Sequence, residues 1–285
     1  MLREGAASQR LRWIPPGRFR MGSPADEEGR DDDEGPTHEV VISRGYWLFD
    51  TPCCQDLWEA VLGAKANESR FRGPRRPVEN VSWDEAVAFT ERLNARVSGL
   101  NVRLPREAEW EYACRAGTTG ARYGALDAIA WQRGNSQDQT HEVGLLAANP
   151  WGLYDMLGNV WEWCQDNRRV YRNRAVVDPD GGSGAGRVIR GGGWYNAARY
   201  ARAADRSWNA PEVRSDSLGF RCLSSGREEK AEPDGSGRSG AEQASRASAR
   251  SGNPPAGENP AANETAHHPP ARTAIAFPSS GYRSL

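Results

Sequence analysis

The chain carries 11 tryptophans, and none lies beyond Trp208. Each indole ring brings a large apolar area with one polar handle, so a stretch this rich in Trp collapses around a core. The C-terminal remainder is built differently. From Arg227 to Leu285 there is no Trp, Cys or Met, and Ser, Gly, Ala, Pro, Arg and Glu dominate. Such a composition cannot bury enough apolar surface to offset the entropy lost on ordering. The expected organisation is one compact domain over 11–225, an ordinary size for a single core, with a disordered tail over 226–285.

Charge removes several functions. With 37 Lys+Arg against 38 Asp+Glu the formal net charge is −1, whereas nucleic-acid or anionic-membrane binding calls for clustered excess cation. No run approaches the ~20 apolar residues of a membrane span, and the opening MLREGAASQRLRW lacks an apolar leader core. A cytoplasmic protein with neither nucleic-acid nor membrane partners is expected. Lys65 and Lys230 are the only lysines; this arginine bias reads as the composition of a GC-rich genome.

Regular elements are few. Ser82-x-x-Glu85 is a capping box, and Ala86, Phe89, Leu93 and Val97 come after it at helical spacing, so a helix is expected over 83–97. Pro105 and the adjoining Arg-Glu-Ala-Glu-Trp-Glu-Tyr-Ala-Cys-Arg-Ala-Gly117 read as a second helix, and Gln55 to Leu62 as a shorter one stopped by Gly63. Val40 to Ile42 and Tyr46 to Phe49 suggest short strands. From Gly117 to Gly193 turn residues alternate with aromatics, giving a loop-rich α+β class.

Much common chemistry is missing. His38, His141, His267 and His268 are the only histidines, and neither a zinc spacing nor a Gly-x-Ser-x-Gly elbow accompanies them. Gly191-Gly-Gly193 does not match phosphate-loop spacing. The five cysteines, Cys53, Cys54, Cys114, Cys164 and Cys222, are odd in number and argue against a disulfide framework; Cys114 reads as a buried, inert thiol.

Five segments then carry a resemblance. Phe19-Arg-Met-Gly-Ser23, Asp31-Asp-Asp-Glu-Gly-Pro-Thr-His38, Arg103-Leu-Pro-Arg-Glu-Ala-Glu-Trp-Glu-Tyr112, Asn149-Pro-Trp-Gly-Leu-Tyr-Asp-Met-Leu-Gly-Asn-Val-Trp-Glu-Trp163 and Arg187-Val-Ile-Arg-Gly-Gly-Gly-Trp194 through Leu218-Gly-Phe-Arg221 resemble the formylglycine-generating enzyme (sulfatase-modifying factor) family. The resemblance implies that family's C-type-lectin-like fold over 11–224. It also implies a copper(I) site built on a cysteine pair, the soft ligands that this ion selects. Here Asn196 and Ala201 stand where the pair is expected, so copper and cysteine oxidation are not expected. The resemblance further implies a calcium site from the carboxylates of Asp155 and Glu162 and the carbonyls of Gly158 and Val160, a donor set suited to a hard cation. Arg106 replaces the Thr that the family places near the helix start, at a cost of roughly 1 kcal/mol in capping.

Residues 190–221 also resemble the variable region of diversity-generating-retroelement variable proteins. Between framework-like glycines and arginines lie Tyr195, Asn196, Arg199, Tyr200, Asp205, Ser207, Trp208, Asn209, Val213, Ser215 and Asp216. Such a mixture suits an adaptable contact face. The expected function is a non-catalytic, lectin-like module that binds a protein or small-molecule ligand through 195–217; the alternative is a formylglycine-generating oxidase or a related oxygen-dependent oxidoreductase. Most tryptophans are expected in the framework, with Trp208 alone on the contact face.

Overall fold

In a computed structural model, residues 1–5 and 7–226 are described. The tail expected over 226–285 therefore lies, apart from Gly226, outside the described residues. Three sheets of three or four short strands, two smaller strand pairs and a few helices form the α+β domain anticipated from the turn-rich sequence.

The capping box forms as the sequence dictates. The Ser82 amide donates to Glu85 Oε2 at 2.9 Å and the Glu85 amide to Ser82 Oγ at 3.2 Å, opening helix Trp83–Arg96, which buries Ala86, Phe89 and Leu93. Helix Gln55–Leu62 ends at Gly63, as expected. Helix Glu107–Arg115 starts later than Pro105, because Arg106 is its N-cap. Two carboxylates satisfy its first amides in place of a Thr: Glu109 accepts from Arg106 N at 2.7 Å and Asp166 from Glu107 N at 2.6 Å. These bonds meet the orphan-donor requirement of a helix start.

The expected strands lie within His38–Ile42 and Tyr46–Phe49. The sheet that organises the site runs in the order 206–209, 187–190, 161–167, 218–219. A second sheet has the order 11–14, 46–49, 223–224, 102–103, and a third 176–177, 38–42, 17–21. Residues before the expected start at 11 also belong to the domain: Leu2–Glu4 pairs with Ala7–Gln9, and Leu2 and Ala7 are buried against the helices.

Trp58, Trp110, Trp161 and Trp163 are among the largest fully buried side chains, in keeping with a tryptophan framework. The exposed pair is not where the sequence suggested. Trp13 and Trp47, cross-strand partners with ring centroids 5.4 Å apart, are 49% and 42% exposed, while Trp208 is half-buried beneath the Arg168 guanidinium, 4.1 Å from its ring.

Candidate functional site

The loop after strand Arg187–Arg190 turns on glycines. Gly191 and Gly192 have φ of 98° and 75°, and a Cβ on Gly192 would lie 2.9 Å from the Tyr200 carbonyl oxygen, so close approach and left-handed backbone both require Gly. This turn delivers Asn196 to the core. Its Oδ1 accepts from Trp161 Nε1 at 2.8 Å and from Gly193 N at 2.9 Å. Ala201 is buried as well. An amide already accepting two bonds and a methyl group offer copper(I) no thiolate, so these residues do not fit that ion. All five cysteines are free and buried. Burial pushes their thiols upward, Cys54 and Cys114 to about 12, which leaves each a poor nucleophile.

The eleven expected contact residues do not form one face. Asn196, Asp205, Ser207, Asn209 and Ser215 are buried. Arg199 is exposed, and Tyr195, Tyr200, Trp208, Val213 and Asp216 are half-buried. Trp208 sits on the strand at one edge of its sheet and Asp216 leads into the strand at the other edge; three interstrand spacings of ~4.8 Å put those edges roughly 14 Å apart. Sequence polarity marked these positions, but polarity also marks a buried residue with a partner.

A coherent patch does form around Tyr195, from residues remote in sequence. Trp194 meets Phe71 edge-on at 5.4 Å and Tyr195 at 5.6 Å. Trp194 Nε1 donates to the Asp216 carbonyl at 2.9 Å, and Arg133 Nε to the Tyr195 carbonyl at 2.9 Å. Arg70 pairs with the Asp216 carboxylate. The Tyr195 hydroxyl is buried beside the side chains of Asn196, Ser217 and Trp161, and burial, against those polar neighbours, raises its pKa. Sequence reading missed Arg70, Phe71 and Arg133, because their loops show no periodicity that ties them to 194–216.

The segment is anchored from beneath by arginines. Arg190, Arg202, Arg206 and Arg221 are fully buried. Arg202 grips Glu34 at 2.7 and 2.8 Å and Glu27 at 2.7 Å; Arg206 holds Glu107 at 2.7 and 2.8 Å; Arg190 reaches Glu111. Burial opposes ionisation of Glu107, yet Arg206 and Arg190 outweigh it and hold the carboxyl below its ordinary value. Bidentate guanidinium–carboxylate geometry makes such burial tolerable. The arginine excess is thus partly structural.

The calcium expectation meets a competing arrangement. Both Glu162 oxygens are taken: Arg221 Nε donates to Oε2 at 2.7 Å and Nη2 to Oε1 at 2.8 Å, while Trp110 Nε1 donates to Oε2 at 2.8 Å. Asp155 accepts from Gly144 N at 2.7 Å and Asn159 Nδ2 at 3.3 Å. Burial, against those bonds and Arg221, raises the Asp155 carboxyl to about 6. N–H donors and a guanidinium occupy these carboxylates, so as arranged Asp155, Gly158, Val160 and Glu162 do not fit a calcium cage.

A lectin-like α+β domain with a glycine-turned loop over a buried arginine–carboxylate base defines the class. Residues 4–225 match the model of the sulfatase-modifying factor enzyme 1-like domain, and the chain belongs to that family. A formylglycine-generating enzyme of Streptomyces coelicolor is 41% identical over 188 residues, spanning 58% of this chain and 57% of that protein. One from Thermomonospora curvata is 31% identical and spans 73% of this chain and 91% of that protein. The solved structure of Treponema denticola variable protein 1 is 32% identical with a TM-score of 0.71, covering 78% of this chain and 97% of that one.

Proposed function

We propose that this chain is a non-catalytic, lectin-like binding module whose contact surface centres on Tyr195 and extends over Phe71 and Asp216, packed on the buried Trp194, with Arg70 and Arg133 at its rim. The observation that carries this reading is Asn196: where the family resemblance implies a copper thiolate, its amide oxygen is committed to Trp161 and Gly193. Rigid aromatics flanked by arginines and a carboxylate suit recognition of a protein or small molecule. The likeness to a variable protein along nearly its whole length supports the same reading.

Identity to formylglycine-generating enzymes favours a second reading, an oxygen-dependent oxidase with an altered site. One experiment separates the two. The full chain is incubated aerobically with copper(I) and a Cys-x-Pro-x-Arg peptide, and the product is weighed by mass spectrometry. Unmodified peptide and no stoichiometric copper are expected; turnover with bound copper overturns the binding-module reading. Diversification of 190–221 has its own test: the gene would lie beside a near-repeat of those codons and a reverse transcriptase, and an isolated gene rules it out.

A further inference from the structure

We propose that the cavity between His38 and the 169–181 segment binds a tetrahedral oxyanion, carried as a phosphate or sulfate group. The cavity measures about 490 Å³ and its wall includes Arg169, Arg172 and Arg174. These guanidiniums differ from the buried ones in having no ion pair with a carboxylate among the described residues.

The carboxylates at the cavity are turned to other work. Asp178 accepts from the Ser43 amide at 2.8 Å and from its hydroxyl. Asp180 lies 3.8 Å from Arg106. Arg169 is held in place while its charge also favours the ionised form of buried Glu107: it lies over the Tyr171 ring at 4.8 Å, and its Nη2 approaches Met21 Sδ at 3.2 Å and His38 Nε2 at 3.4 Å. His38 Nδ1 faces the Pro36 carbonyl at 3.2 Å. That contact assigns the proton to Nδ1 and leaves the Nε2 lone pair to accept from Arg169.

Three guanidiniums against the two carboxylates Asp178 and Asp180 leave the lining net positive, and an anion with several oxygens offsets that excess. Planar guanidinium forks match such oxygens in pairs. The volume exceeds what a bare oxyanion fills, leaving room for the group it esterifies. The site stands apart from the Tyr195 surface and does not depend on the proposed function.

The test is calorimetric titration of the full chain with inorganic phosphate, sulfate and phosphoserine, against chloride matched in ionic strength. Saturable binding of phosphate and sulfate is expected, at least tenfold weaker in Arg172→Ser/Arg174→Ser, which alters only exposed side chains, and in Arg169→Met. Tighter binding of phosphoserine identifies an esterified ligand, and equal binding a free anion. Heat that chloride reproduces, or affinity unchanged in the double variant with its Tm intact, overturns the proposal.

Discussion

Arg221 and Glu162 form a two-point clamp, Nε to Oε2 at 2.7 Å and Nη2 to Oε1 at 2.8 Å, with both side chains sealed from solvent. The guanidinium supplies the positive charge that a bound cation would supply. Removing one partner strands the other as an uncompensated buried charge. Arg221→Ala is expected to lower unfolding stability by about 3–5 kcal/mol in urea.

Because those carboxylates already accept N–H bonds, a calcium chelator is expected to leave the melting temperature unchanged. A fall on EGTA addition, restored by calcium and absent in Asp155→Ala, would reinstate the cation.

Glu79 gives a pH signature. It is fully buried, its Oε1 accepts from Phe71 N at 2.8 Å, its Oε2 has no partner, and burial, against the Phe71 bond, raises its carboxyl to about 8. A carboxyl whose folded value exceeds its unfolded one stabilises fully below the unfolded value and loses that stability as pH rises through the folded one. Glu79→Gln is therefore expected to gain on the native protein between about pH 4.5 and pH 8, by up to about 5 kcal/mol. A constant difference in unfolding free energy across that range would show that Glu79 ionises normally.

Asn196→Ala strands the Trp161 and Gly193 N–H groups. Each buried unsatisfied donor costs ~1–3 kcal/mol, so a loss of about 2–6 kcal/mol is expected in chemical denaturation. A loss under about 0.5 kcal/mol, the size of an ordinary surface substitution, would mean that water replaces the amide.

The exposed tryptophans should behave unlike the buried ones. Trp47→Ala is expected to cost about 1 kcal/mol, the range of an aromatic pair, and Trp110→Ala about 3–5 kcal/mol. Comparable losses in thermal unfolding would contradict the exposure difference.

How much of the fold and its surface was legible depended on reach along the chain. Ser82 and Glu85 signal a helix start because capping is a three-residue event. Gly191 and Gly192 read from sequence only as framework glycines; their left-handed φ and the approach of the Tyr200 carbonyl depend on how the loop folds. Nor was Arg202 legible: its partner Glu34 lies 168 residues away, and a single sequence shows that a residue is charged without showing what neutralises it. Asp205, Ser207 and Asn209 looked like contact residues for that reason. All three are buried, Asp205 beside Arg202, as is Asn196, which accepts from Trp161 and Gly193. That positions 196 and 201 carry no sulfur was readable, because it needed only the identity of two residues.

The buried arginines constrain how this surface can change over time. Arg190, Arg202, Arg206 and Arg221 act as pegs driven through the 190–221 segment into carboxylates elsewhere in the fold. A mutation at a peg demands a simultaneous, compensating mutation far away, which single steps seldom provide. Residues between the pegs carry no such debt where they are exposed, as Arg199 is. The segment is thus divided into positions tied to distant carboxylates and positions that can change without refolding the domain.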